Sequence, residues 1–225
     1  MAQWQSPHNR PLPVLGRRTL IMGILNVTPD SFSDGGELPS VQAVVDRAGE
    51  MIAAGADMLD LGGESTRPGA PAVSGDVELA RILPPLRALR DAFPTVPVSV
   101  DTYKASTADK AIAAGADIIN DVRGLMHGLD HSLRSAWRDI ARGTTDASAK
   151  SMPPITPMAR VAAARKAPLI LMHNRPDRDY RSFVEDVLLD LKAGSALARA
   201  AGIPAHQLCL DPGFGFAKNV PQNLE

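Results

Sequence analysis

Six apolar runs in this chain end in groups that can bind or polarise a ligand. In order they are Asn26, Glu64-Ser65-Thr66-Arg67, Asp101, Asn120-Asp121, His173-Asn174 and Asp211. There is no serine–histidine–acid or cysteine–histidine pattern. What remains is a set of amides and carboxylates, which work by positioning and electrostatics rather than as nucleophiles. The densest stretch is NVTPDSFSDGG, Asn26 to Gly36. Pro29, Gly35 and Gly36 break regular structure there, leaving a loop rich in hydroxyls and carboxylates. A plain turn capped by Asp30 or Ser31 explains any one of these residues, but not the whole string. His127 and His131 are four residues apart, a spacing that can serve a metal. Gly128 lies between them and no third ligand is near, so they read as part of a solvated segment.

The elements that must position these groups alternate strictly. Strands are expected at 20–27, 57–61, 96–100, 117–120, 168–172 and 207–210, and helices at 40–54, 76–92, 104–114, 156–166 and 181–201. Such alternation builds βα units on a parallel sheet. Ala53-Ala54-Gly55-Ala56-Asp57 recurs sixty residues later as Ala113-Ala114-Gly115-Ala116-Asp117, with a weaker echo at Ala200-Ala201-Gly202. Each copy reads as a helix ending on a left-handed glycine before the next strand. Polar groups at six successive strand ends favour a (β/α)8 TIM barrel, where all those ends meet on one face. A doubly wound sheet would gather only those near its switch point. Residues 126–157 break the rhythm and read as a mobile insertion with one short helix around 133–142. Trp4 and Trp137 sit in polar, non-periodic surroundings and receive no role.

Composition sets the frame. With 225 residues, 44% hydrophobic, the chain suits one domain, 1–225, with a substantial core. Its 24 basic and 25 acidic residues leave a net charge of −1, which offers no broad field for nucleic acid or an anionic membrane. No window approaches the roughly eighteen apolar residues of a membrane span, and the first residues hold no signal-like apolar stretch. A cytoplasmic location is the default. The single cysteine, Cys209, lies in an apolar run and excludes a disulfide framework.

The string Asn26–Gly36 resembles the first loop of dihydropteroate synthase. Asp60 to Gly69, DLGGESTRPG, is similar to that family's second loop. Ser99-Val100-Asp101-Thr102, Ile118-Ile119-Asn120-Asp121-Val122, Leu169-Ile170-Leu171-Met172-His173 and Leu210-Asp211-Pro212-Gly213-Phe214-Gly215-Phe216 resemble its next strand ends. The likeness runs in register from Thr19 to Asn223, apart from the insertion. Single tripeptides are weak signals; the ordered set is specific.

The resemblance implies a folate-pathway transferase, a sulfonamide target, joining 6-hydroxymethyl-7,8-dihydropterin diphosphate to p-aminobenzoate. It implies that Asp101, Asn120 and Asp211 meet the donor and acceptor edge of the pterin, since Asp only accepts while Asn does both. Met172, Val122 and Phe216 would give apolar contact, and Thr66 would bind the diphosphate. Asp34 and Arg67 would lie on loops over the p-aminobenzoate. Asn26 would supply one oxygen to Mg²⁺, a hard ion held mostly by phosphate and water. Capping of a helix from Lys104 stays open for Asp101, turn chemistry for Asp211, and a solvated loop cation for Arg67. Lys218 matches another position of the family and is assigned nothing.

Six strands are used when the sequence reaches Glu225, whereas a closed barrel takes eight. The resemblance implies a further lysine and an arginine–histidine motif on the seventh and eighth units. A chain with six units is expected to pair through its open edges, as a homodimer or aggregate, and to turn over slowly. Two other readings stay open. One is a non-catalytic pterin-binding fragment; the other is a methyltetrahydrofolate-binding methyltransferase domain.

Overall fold

The computed structural model describes residues 3–28, 40–65, 70–144 and 152–225. Six strands, β1 (Met22–Asn26), β2 (Met58–Gly62), β3 (Val98–Asp101), β4 (Ile118–Asp121), β5 (Leu169–Met172) and β6 (Leu208–Asp211), lie side by side in sequence order. Every neighbouring pair is parallel. Helices α1 (Val41–Ala53), α2 (Gly75–Ala92), α3 (Ala105–Ala113), α4 (His131–Arg142), α5 (Pro157–Arg165) and α6 (Phe183–Ala200) lie between the strands, α4 and α5 sharing one connection. A short α7 (Val220–Leu224) follows β6. This is the order of a (β/α) barrel wall, open between β6 and β1.

The helix boundaries follow from local chemistry. Ser40 and Ser74 accept from the backbone N–H groups of Ala43 and Val77, satisfying donors that the first helical turn leaves free. Gly55, Gly115 and Gly202 all adopt positive φ, the backbone turn that the Ala-Ala-Gly repeat requires.

Alternation along the strands splits the apolar residues into two cores. Leu25, Leu59, Leu61, Val98, Val100, Ile119, Leu169 and Leu171 face outward into the main core with the helices. Met58, Ile118 and Ile170 point the other way, where Trp4 and Leu12 of the N-terminal segment seal the floor of the barrel. That segment is tied down through Asp117, which is fully buried. Its carboxylate accepts from Ser6 Oγ at 2.6 Å and from the Val98 N–H at 3.0 Å, and it pairs with Arg10.

The described residues of the segment between β4 and β5 include two helices, and its polar sequence hides the packing of the first. Helix α4 is capped by Asp130 and ended by Gly143 at φ 74°. Leu133, Trp137 and Ile140 recur at helical spacing, and Trp137 is buried to 1% exposure against the main core. The surrounding arginines mask that stripe in the sequence. Both tryptophans, left without a role by sequence, are therefore core anchors. Asp190 on α6 ties α4 down by accepting from Arg138.

Among the described residues no helix is long and apolar enough to cross a membrane. Replacing Trp137 with Ala should cost about 3–5 kcal/mol of stability, the usual penalty for emptying a large core site. Urea unfolding measures it; a loss under about 1 kcal/mol would mean that α4 is not anchored through this side chain.

Candidate active site

Register places the site. Asn26, Gly62, Asp101 and Asn120 are successive partners across β1 to β4, so they form one row at the carboxyl ends of the strands. Met172 and Asp211 pair one level higher on β5 and β6. All six positions share the parity of the floor residues Met58, Ile118 and Ile170, so their side chains point into the barrel. A side chain at Gly62 would crowd the site: its Cβ would lie 3.1 Å from Asn26 Oδ1, so that the amide would have to shift, and 3.5 Å from Asp101 Oδ2. The missing side chain lets an amide oxygen and a carboxylate oxygen converge over one backbone position.

Asp101 is short of donors. Its Oδ1 is buried without a hydrogen-bond partner among the described residues, and so is Oδ1 of its neighbour Asn120. Burial raises the Asp101 carboxyl well above the usual range, with help from the charges of Asp60, Glu78, Asp121 and Glu64. Capping does not explain the residue. Helix α3 begins after Lys104, which makes no side-chain cap, and the Lys104 N–H is taken by Thr102 Oγ1. Asn120 Nδ2 donates at 3.0 Å to Asp60 Oδ2, which lies deeper in the barrel.

Asp211 divides its work. One oxygen accepts from the Gly213 N–H at 2.7 Å, as turn chemistry predicts, while the side chain as a whole stays partly exposed. Asp121, on the helix side, is a turn anchor: it accepts from the N–H groups of Arg123 and Leu125. Burial nevertheless pushes its pKa up to about 6.

The rim above this row is braced by ion pairs. Glu64 accepts from Tyr103 OH at 2.8 Å and from Lys104, whose ammonium also lies 3.3 Å from Glu78. His173 is buried between Lys218 and Asp190. Lys218 Nζ donates to His173 Nδ1 at 3.0 Å and to the carbonyls of Gly213 and Phe216, which leaves His173 Nε2–H to face Asp190 at 3.3 Å. Burial first, then the Lys218 charge, lowers the His173 pKa. Burial alone would raise Asp190, but hydrogen bonds from His173, Arg138 and Arg175 outweigh it and hold it far below the usual range. Gly213 makes this packing feasible, because at φ 71° its Cβ would fall 2.2 Å from the His173 carbonyl oxygen.

A cavity of about 390 Å³ opens at the rim, walled by Val122, Phe216, Ser65, Tyr103 and Arg178 among others. Of the residues singled out by sequence, Asn26, Asp101 and Asn120 come together in one row, with Met172 and Asp211 beside it. Val122 and Phe216 line the rim cavity. Asp34, Thr66 and Arg67 lie outside the described residues. The His127 ring packs on Tyr103 at 4.6 Å between centroids. Among the described residues, no group of three or more His, Cys, Asp or Glu side chains is arranged to hold a metal ion. Asn26 Oδ1 remains as a single oxygen donor, which suits an ion taking its other ligands from phosphate and water.

The sequence assigns no role to Asp60, Lys104 or Lys218 and marks Glu64 only as a strand-end group. Asp60 carried a signal: a carboxylate in the middle of the run Met-Leu-Asp-Leu-Gly is costly unless something holds it.

Residues 22–225 match the family described as pterin binding enzyme. The dihydropteroate synthase of Clostridium beijerinckii is 44% identical over 211 residues, covering 94% of this chain and 68% of that protein. A Clostridium difficile dihydropteroate synthase solved with pteroic acid superposes with a TM-score of 0.75 at 37% identity, over 93% of this chain and 69% of its own. A Burkholderia cenocepacia dihydropteroate synthase complexed with 7,8-dihydropteroate gives 0.74 at 36% identity, over 97% and 66%.

The His173 arrangement has a pH signature. Its folded pKa lies below the unfolded value of about 6.5, so at lower pH the unfolded chain binds a proton that the folded chain resists. This contribution to stability is present above pH ~6.5 and is lost as pH falls through the folded pKa. Urea melts of the wild type should weaken across that window, and His173→Gln should lack this part of the slope. Equal slopes would overturn the assignment. Lys218→Met, which leaves the acceptors around it without their donor, should cost about 2–4 kcal/mol in the same experiment.

Proposed function

Since the chain belongs to the pterin-binding enzymes, and within them to the dihydropteroate synthases, we propose that Asp101, Asn120 and Asp211 hold the pterin ring and that the rim cavity receives p-aminobenzoate. The reaction is transfer of the pterinylmethyl group of 6-hydroxymethyl-7,8-dihydropterin diphosphate to p-aminobenzoate. The products are 7,8-dihydropteroate and diphosphate. The observation that carries the ring assignment is the pair of unpartnered buried oxygens, Asp101 Oδ1 and Asn120 Oδ1, on adjacent strands. Buried polar atoms without partners are costly, and a ligand edge of N–H groups would relieve both.

The mechanism needs no acid–base side chain. The amine of p-aminobenzoate attacks the methylene carbon, the C–N bond forms, and the C–O bond to diphosphate breaks with its electron pair leaving on oxygen. The amine proton then passes to water. The chain contributes geometry: Asp101 and Asn120 fix the ring edge, Met172 gives it an apolar neighbour, and Val122 and Phe216 shape the wall above. Thr66 would receive the diphosphate, and Asp34 and Arg67 would close over the second substrate. Asn26 Oδ1 would be the protein's ligand to Mg²⁺, and a bound Mg²⁺ would neutralise charge on the departing diphosphate.

Asp101 accepts from the ring more strongly when ionised, because the charge assists the hydrogen bond. Its pKa is raised, so pterin affinity should increase with pH through the Asp101 titration in the free protein and fall below it. Calorimetry with 6-hydroxymethylpterin across pH tests this. Asp101→Asn should weaken binding roughly 10- to 100-fold, by loss of a charge-assisted hydrogen bond, and should flatten the pH profile. Formation of dihydropteroate from pterin diphosphate, p-aminobenzoate and Mg²⁺ tests the whole reading. A folded chain that binds no pterin and forms no product would sink it.

A further inference from the structure

Asp60 lies one level below the row of Asn26, Gly62, Asp101 and Asn120, inside the barrel, and is 4% exposed. It has no cation within ion-pair distance among the described residues. Instead it takes two donors: Ser99 Oγ at 2.6 Å on Oδ1 and Asn120 Nδ2 at 3.0 Å on Oδ2. Both of its oxygens are thus engaged, one from β3 and one from β4, at the level just below the row.

The consequence falls on Asn120. A carboxamide has one donating end and one accepting end. Turned the other way, Asn120 would place its oxygen about 3.0 Å from a carboxylate oxygen, two acceptors facing each other without a proton. With Asp60 ionised, the nitrogen therefore goes to Asp60 and Oδ1 is left free, buried and unpartnered among the described residues. Asp101 presents its own bare Oδ1 from the next strand. Between them these two strands show a pair of acceptors side by side, which selects a ligand edge of adjacent N–H groups.

We propose that Asp60 is a positioning residue: it never touches the ligand, but by claiming the Asn120 amide nitrogen it fixes the site as an acceptor pair and so sets its preference for a heterocycle with a donor–donor edge. This rests on the pterin-binding reading of the same site, and the experiment separates the two.

The test moves one charge between two positions. Asp60→Asn offers Asn120 an amide in place of a carboxylate, so the Asn120 side chain is no longer forced to turn its oxygen outward. Asn120→Asp sets a second carboxylate against Asp60. Each single variant should bind 6-hydroxymethylpterin about ten-fold more weakly than the wild type, the loss expected for one buried hydrogen bond. The double variant D60N/N120D restores the pattern with the same net charge. The amide then at position 60 donates to the carboxylate at position 120, whose other oxygen faces the ligand, while the amide oxygen still accepts from Ser99. The double variant should bind about five-fold or more tightly than either single variant. A residue that merely held the fold would not show this recovery.

Thermal melts accompany each titration. Folded Asp60→Asn with wild-type affinity overturns the proposal, and so does a double variant no tighter than the singles. If Asp60→Asn does not fold, the comparison of D60N/N120D with Asn120→Asp decides alone. Wild-type protein that binds no pterin overturns the functional reading and this proposal with it. Wild-type binding with no effect at position 60 removes only the proposal.

Discussion

Each strand of this sheet must satisfy two unlike surroundings at once, and the rest of the molecule is arranged around that demand. The outward face meets helices and is closed by Leu25, Leu59, Leu61, Val100, Ile119 and Leu171. The inward face has no helix to pack against. Its lower level is filled by a plug brought from the N-terminus, Trp4 and Leu12 against Met58, Ile118 and Ile170. Its upper level carries the polar row, with Met172 as an apolar neighbour. Parallel register does the sorting, because in-phase strands carry side chains of the same parity to the same height.

The plug and the site sit at opposite ends of the same strands and use charge in opposite ways. At the floor, buried Asp117 receives Arg10, Ser6 and a backbone N–H, and Arg90 stands 3.5 Å away. At the rim, Glu64 has Lys104 and Tyr103, and Asp190 has His173, Arg138 and Arg175. In between, Asp101 Oδ1 has no such partner among the described residues. Removing a charge from water without compensation is among the larger penalties in a protein. Asp101 Oδ1 and Asn120 Oδ1 therefore stand apart from the braced carboxylates at either end of the strands: both are buried without a donor among the described residues. The close approach over Gly62 belongs to the same design, since any side chain there would occupy the space where Asn26 and Asp101 converge.

The sequence alone determined the alternation of strands and helices, their limits to within a few residues, and the glycine-ended loops. It also singled out Asn26, Asp101, Asn120 and Asp211 as strand-end groups. These are local or periodic properties: apolar runs, helical spacing and turn residues act within a few positions along the chain. The likeness in the loops added the chemistry, because its motifs occur in fixed order.

What the tertiary structure decided depends on distance across the sheet. Asp60 reads as an oddity inside β2 until Ser99 and Asn120, 39 and 60 residues away in sequence, are seen to donate to it. Trp4 and Trp137 sit in polar, non-periodic surroundings in sequence because their apolar partners come from other elements. His173 acquires its tautomer only when Lys218, 45 residues on, donates to it. Whether Asp101 caps a helix or faces a ligand was equally undecided, since both uses place an Asp before the same helix. The cap of α3 removes the capping reading, and register sets the unpartnered Oδ1 of Asp101 on the strand next to that of Asn120, a matter of equal height across the sheet that no local pattern encodes.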